Sequence, residues 1–146
     1  MSIEIANESG MECHLEPIVS VAEFAIKAMG LHPECELEIM LVDEDRMSEL
    51  HVEWMDLPGP TDVLSFPMDE LTPDSAADGP GIIGDIVLCP AFASAQAKTG
   101  LDDELALLTV HGVLHCIGFD HALPEEERAM FALQEKILAD WRTSRS

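Results

Sequence analysis

Apolar residues recur at helical spacing in five segments of the chain and at strand spacing in three. The patterns predict helices at residues 16–29, 43–54, 91–98, 101–117 and 124–141, and strands at 36–42, 61–67 and 84–90. In the second helix, Met47, Leu50 and Trp54 share the inward face. Because helices and strands mix without strict alternation, we expect a single α+β domain over residues 1–146, with helices packed against one small mixed β-sheet.

Prolines and glycines punctuate the middle of the chain. Residues 57–60 contain two prolines and a glycine, which deny both helical and ladder hydrogen bonds, so we expect a loop there. Pro67 closes the predicted strand at 61–67 and indicates an edge or an end of the sheet. Residues 68–81 are rich in Asp, Pro, Ala and Gly and predict a mobile surface loop.

The net charge of the chain is unusually negative. Its 29 acidic and 7 basic residues give −22 at pH 7, whereas a small soluble domain commonly carries a magnitude of about 2–8. More than half of the excess lies in the first 56 residues. Such a surface repels polyanions, so we exclude nonspecific nucleic-acid binding and expect no DNA partner.

Membrane, secretory and disulfide-rich classes are disfavoured. The longest mostly apolar stretch, residues 105–114, is far shorter than the roughly 20 residues that cross a bilayer, so we expect no membrane partner. Residues 1–20 hold no Lys or Arg and no signal-like apolar segment, and a cytoplasmic location is the default expectation. The four cysteines form no CxxC pair, and we expect them to be small apolar core residues.

The candidate chemistry lies in residues 111–121, HGVLHCIGFDH. His111 and His115 are four residues apart, which puts both imidazoles on one face of a helix. Gly118 is suited to end that helix, because glycine accepts the left-handed conformation, and the chain can then return His121 to the same ion. Three imidazoles leave one position of a tetrahedral zinc ion open, as in catalytic sites. The sequence predicts one zinc ion at the end of a central helix.

Three nearby residues have more than one interpretation. Asp120 orients a ligand histidine, or it caps the helix end or binds solvent. Ser65 lines a cleft beside the metal if its side of the strand faces the site; otherwise its hydroxyl bonds to the backbone. Cys116 lies about 100° around the helix from His115, so we expect it to be packed and not a fourth ligand.

The histidine spacing is similar to that of the HExxHxxGxxH zinc proteases, with one difference. Gly112 stands where those enzymes have their general-base glutamate, which disfavours peptide hydrolysis. A glycine inside a helix costs about 1 kcal/mol relative to alanine. We therefore interpret Gly112 as leaving room for a bulky or anionic substrate beside the metal.

Residues 111–121 closely resemble the HGxLHLxGxDH signature of the YbeY endoribonucleases, bacterial enzymes implicated in ribosomal RNA maturation. TDVLSFP at 61–67 and GDIVL at 84–88 resemble the other two marked segments of that family, in the same order. The resemblance implies an α+β metalloprotein that holds zinc through His111, His115 and His121. It implies cleavage of single-stranded RNA in 16S rRNA 3′-end maturation and ribosome quality control, with ribosomal or ribosome-assembly proteins as partners.

The chain departs from that family at one position. Many members have an arginine six residues before the threonine of TDVLSFP, thought to assist at the phosphate, and this position is Met55 here. We therefore expect weak RNA binding with a shallow salt dependence, assisted by a basic partner such as a ribosomal protein. Two alternatives remain: a zinc hydrolase of a peptide or small molecule, and a non-catalytic ribosome-assembly factor that a metal stabilises.

Overall fold

A four-stranded mixed sheet with helices on both faces forms the domain. The computed structural model describes residues 2–55, 59 and 61–145. The strands, in the spatial order β1-β2-β4-β3, are β1 (Ser2–Glu8), β2 (Glu36–Val42), β3 (Val63–Pro67) and β4 (Ile82–Leu88). The helices are α1 (Leu15–Ala28), α2 (Glu44–Met55), α3 (Pro90–Gln96), α4 (Leu101–Cys116) and α5 (Pro124–Arg145), with a 3₁₀ turn at Ala76–Asp78. The predicted α+β class is confirmed.

The sheet is mixed, as predicted, and it separates two apolar clusters. β1, β2 and β4 run parallel, whereas β3 is antiparallel to β4. Alternate residues of β2 and β4 belong to different clusters: Leu41 and Leu88 pack with α1, α4 and α5, whereas Val42 and Val87 pack with α2. Side chains of successive strand residues point to opposite faces, so the sheet lies between two helical layers.

Helix α4 is the central helix of the domain. It packs against α1, α3, α5, β3 and β4, and its buried residues cover most of its circumference, as expected for a helix inside a core, with one partly exposed sector that includes His111 and His115. Three acidic residues occupy its first turn, where negative charge is favourable. No helix in the described part of the chain has both the length and the apolarity needed to span a membrane.

Strand β1 and the last turn of α5 were not predicted. β1 offers only Ile3 and Ile5 as partly buried apolar positions, so its strand conformation depends on its pairing with β2. Helix α5 continues to Arg145, whose guanidinium lies 4.9 Å from the centre of the Trp141 ring and pairs with Glu16. Both features depend on partners distant in sequence.

The middle of the chain differs from prediction at Trp54. Met47 and Leu50 are buried as expected, but Trp54 is 60% exposed and its ring packs against the edge of Phe66. Phe66 belongs to β3, the edge strand predicted from its closing proline, and no strand of the described residues lies beyond β3. Of the loop predicted at 57–60, only Gly59 is among the described residues.

The predicted surface loop at 68–81 contains no strand or α-helix before β4 begins at Ile82. It is tied to the end of α1 by two backbone hydrogen bonds, from Asp74 N–H to Met29 C=O and from Ala76 N–H to Gly30 C=O. The loop therefore has a defined attachment to the core.

Gly112 corrects a prediction. It does not line a cleft: it is buried, and a Cβ placed on it would lie 3.0, 3.1 and 3.2 Å from three side-chain carbons of Ile86 on β4. Ile86 is itself fully buried. Gly112 therefore lets α4 approach the sheet closely, and it makes no room for a substrate.

We expect Gly112→Ala to destabilise the protein by about 1 kcal/mol, because crowding at Ile86 outweighs the gain in helix propensity. In an Ile86→Ala background, where the methyl group has space, the same change should stabilise by about 1 kcal/mol. The free energy of unfolding in urea, measured with a chelator present, tests both. Strictly additive effects of the two substitutions would contradict the contact.

Candidate metal centre

Two of the three histidines of the site, His111 and His115, lie on helix α4. They lie one turn apart on α4, with ring centroids 4.6 Å apart. The rings of His111 and His121 are 5.5 Å apart, and those of His115 and His121 are 5.1 Å apart. One ligand nitrogen from each histidine lies within 4.8 Å of the other two. The nitrogens around a tetrahedral zinc ion are about 3.4 Å apart, so small ring rotations bring this set to bonding distance.

A tight turn after α4 delivers the third histidine. Gly118 has φ of 103°, and two hydrogen bonds close the helix end, from Gly118 N–H to His115 C=O and from Phe119 N–H to Leu114 C=O. This is the Schellman arrangement that glycine favours. Asp120 Oδ1 then accepts a hydrogen bond from the His121 N–H at 2.7 Å. The predicted return of His121 is confirmed.

The environment favours the neutral form of two of the imidazoles. Burial lowers the pKa of His111 and of His115 below the usual histidine value, and the neighbouring imidazoles lower both further. A neutral imidazole is the form that binds a metal. The donor set therefore fits a divalent metal ion at neutral pH.

The histidines line an open cleft with a volume of about 730 Å³, within the usual range for ligand sites. β3 and the residues before it form the other wall. The described lining residues are Met55, Thr61, Asp62, Val63, Leu64, Ser65, Pro67, His111, His115, Gly118, Phe119, Asp120 and His121. None of these is Lys or Arg, so the cleft wall described here carries carboxylates and no cationic side chain.

The comparisons with known proteins agree with this site. The family model for Endoribonuclease YbeY matches residues 4–142. The chain belongs to the YbeY family. The resemblance predicted from the three motifs is thereby confirmed, over nearly the whole chain.

Proteins named endoribonuclease YbeY are similar to this chain over nearly its whole length. The Nocardia farcinica endoribonuclease YbeY is 62% identical over 99% of this chain and 82% of its own length, and the Rhodococcus jostii one is 61% identical over 97% and 82%. The solution structure of a Thermotoga maritima protein matches with a TM-score of 0.64 and 27% identity, over 97% of this chain and 93% of that one.

Gln134 is a residue of the YbeY site that sequence reasoning missed. It is a buried polar residue of α5, and its Oε1 lies 2.9 Å from His111 Nδ1. An amide oxygen only accepts, so Nδ1 carries the proton and Nε2 keeps its lone pair for a metal. The available signal was a polar residue at helical spacing between Met130 and Leu138, which are buried apolar residues.

The other residues singled out from the sequence lie in or near the YbeY cleft. Ser65 and Asp120 both line it. The Asp120 carboxylate bonds to the His121 backbone, so it fixes the turn and does not contact the His121 ring through this bond. Cys116 is buried, burial raises its pKa to about 12, and it is not part of the metal-ligating cluster, in agreement with prediction. Met55, at the position of the family arginine, lines the cleft.

Gln134→Leu should weaken metal binding roughly 10–100-fold, because the His111 N–H loses its acceptor and the ring loses its preferred orientation. Gln134→Glu keeps an acceptor and should retain wild-type affinity. Competition with a chromophoric chelator measures both affinities. Glu135→Leu changes an exposed neighbour on the same helix and serves as the control. Equal metal affinity in Gln134→Leu and the wild type would disprove this role.

Proposed function

We propose that this chain is a zinc-dependent, single-strand-specific endoribonuclease that acts in 16S rRNA 3′-end maturation and ribosome quality control in the cytoplasm. One observation carries the proposal: three histidine nitrogens converge in an open cleft of a chain whose relatives at about 60% identity are named endoribonucleases. RNA cleavage needs such an exposed site, because the phosphate has to reach the ion.

His111, His115 and His121 would hold the ion, leaving a coordination position towards the cleft. A divalent ion there supplies Lewis-acid polarisation of a phosphate oxygen and a bound water of lowered pKa. Gln134 holds the proton of His111 on Nδ1, and Asp120 holds the backbone of the turn that carries His121. These two contacts orient the ligands before any substrate binds.

The packing of Gly112 argues against a peptidase. A glutamate at this position would be pressed against Ile86 and could not occupy it without displacing the core. The general base of HExxH proteases therefore has no place on this helix. RNA differs from a peptide in carrying an internal nucleophile, its 2′-hydroxyl, so its cleavage does not demand that carboxylate.

The electrostatics of the cleft support assisted delivery of the RNA. Asp62 and Asp120 line the cleft and repel a phosphate. The attraction would come from the ion itself, over a short range, and a basic ribosomal or assembly protein would bring the RNA to the site. This arrangement favours weak binding of free RNA over a general electrostatic footprint.

The direct test combines metal analysis with cleavage of a single-stranded ribosomal RNA fragment. Zinc-loaded wild type should contain one ion per chain and cleave the fragment, whereas His115→Ala should lose the ion and at least about 100-fold of the activity, as expected when a catalytic metal is lost. His14→Ala removes an exposed histidine outside the cluster and should retain both.

Absence of cleavage by zinc-loaded wild type would overturn the enzymatic proposal in favour of an assembly factor. Metal-dependent peptide cleavage without RNA cleavage would favour the other hydrolase alternative. Analysis of the product ends shows whether water or the RNA 2′-hydroxyl attacks the phosphorus, because only the second route forms a cyclic phosphate.

Met55→Arg should strengthen RNA binding and make it more sensitive to salt. The added cation would lie at the cleft, and the slope of log affinity against log salt should steepen by about 0.7, the value for one contact with a single-stranded phosphate. Val52→Arg adds the same charge at another exposed position of α2, outside the described cleft lining, and should change the slope less. Equal slopes for the two variants would contradict a phosphate position next to Met55.

A further inference from the structure

The open edge of β3 forms part of the cleft wall. β3 pairs with β4 on one side, and no described strand pairs with it on the other. Cys89 N–H donates to Asp62 C=O at 3.0 Å, and Met68 N–H donates to Ile83 C=O at 3.3 Å. Residues 62, 64, 66 and 68 therefore direct their backbone groups towards β4. By the alternation of an antiparallel ladder, Val63, Ser65 and Pro67 direct theirs towards the open edge.

Only one of these three edge positions has a backbone donor to offer. The Val63 N–H already donates to Asp62 Oδ1 at 2.8 Å. Pro67 has no N–H. The Ser65 N–H is therefore the donor that β3 presents at its open edge, and Ser65 lines the same cleft as the three histidines.

The side chain of Ser65 adds a second donor. Ser65 is partly buried, and among the described residues its Oγ has no hydrogen-bond partner. The other hydroxyl of the cleft lining, on Thr61, is within hydrogen-bond distance of Asp62 Oδ1 at 3.3 Å. Of the two interpretations of Ser65, the one in which it lines the cleft is therefore the one that its surroundings favour.

Among the described residues, the cleft around Ser65 lacks cationic side chains, so a phosphate bound there depends on neutral hydrogen-bond donors. The described lining carries two carboxylates and no Lys or Arg, and the position of the family arginine is an uncharged thioether, Met55. A phosphodiester held beside the histidines still needs donors for its non-bridging oxygens. Backbone N–H and hydroxyl groups bind phosphate oxygens without bringing charge.

We propose that Ser65 binds the scissile phosphate of the RNA, with its N–H and Oγ–H donating to non-bridging oxygens, in a site where no described side chain provides a cation. This rests on the proposed endoribonuclease function and assigns a specific group to it. Ser65 acts on the phosphate directly and is not a ligand of the ion. Its contribution is to orient the phosphate between β3 and the histidines.

The kinetic test uses zinc-loaded protein and a single-stranded RNA oligonucleotide with one cleavage position. Ser65→Ala should lose roughly tenfold to hundredfold in kcat/KM, the usual range for a hydrogen bond to a charged group, with an unchanged metal content. Ser65→Thr keeps the hydroxyl and should recover most of the activity. Thr61→Val removes the hydroxyl that already has a partner and should lose much less than Ser65→Ala.

Phosphorothioate substrates separate phosphate binding from a structural role. In one of the two phosphorothioate diastereomers, sulfur replaces the non-bridging oxygen that Ser65 Oγ contacts. The wild type should cleave this diastereomer more slowly than the other, and the difference between the two rates should be smaller in Ser65→Ala. A structural defect would slow both diastereomers equally. Equal selectivity in the wild type and Ser65→Ala would therefore overturn the assignment to Oγ.

The backbone donor is tested without mutation, by titrating ¹⁵N-labelled, zinc-loaded wild type with a 2′-O-methyl RNA that lacks the internal nucleophile. The amide resonance of Ser65 should shift strongly, and that of Val63, whose N–H is already bonded, should shift less. An unmoved Ser65 resonance at saturation would overturn the assignment to the N–H. If the wild type cleaves no RNA, the proposed function fails; if it cleaves and Ser65→Ala matches it, only this inference fails.

Discussion

The contact between Gly112 and Ile86 sets the position of everything else in the site. Helix α4 is buried around most of its circumference, and the partly exposed sector that remains carries His111 and His115. Gly112 lies on the face of α4 that packs against β4. A helix turns about 100° per residue, so when position 112 faces β4, His111 lies about 100° and His115 about 60° to one side of it, where the cleft beside β3 is. The core packing therefore aims the ligands.

The edge strand β3 completes the site because it stops the sheet there. A further strand on this side would fill the cleft that faces the histidines. An open edge also exposes backbone groups that invite pairing with other chains. Here Asp62 satisfies the Val63 N–H and Pro67 has none, so the edge is short and poor in donors. What remains open, at Ser65, faces the cleft.

The strong negative charge of the chain affects how a phosphate would bind at this site. The cleft wall carries two carboxylates, and burial lowers the pKa of two of the histidines that would hold the ion, His111 and His115. In the proposed function, a phosphate would be attracted by the ion over a short distance and repelled elsewhere. Binding depends on placement within the cleft, and the general surface opposes nonspecific retention of RNA.

The sequence by itself determined the parts of the protein that local geometry controls. His111, His115 and His121 lie within eleven residues, so helical spacing and the turn at Gly118 were sufficient to bring them together. The periodicity of apolar positions located all five helices, and three of the four strands followed from alternation and turn residues. These features need no information from distant segments.

Tertiary structure decided what depends on partners far along the chain. Gln134 reaches His111 from another helix, 23 residues away. The sequence did not decide on which face of the sheet Ser65 lies. Strand alternation defines two faces, and only packing decides which of them meets α4. The role of Gly112 was predicted wrongly for the same reason. The sequence shows that position 112 has no side chain, whereas only the structure shows that Ile86 occupies the space where one would be.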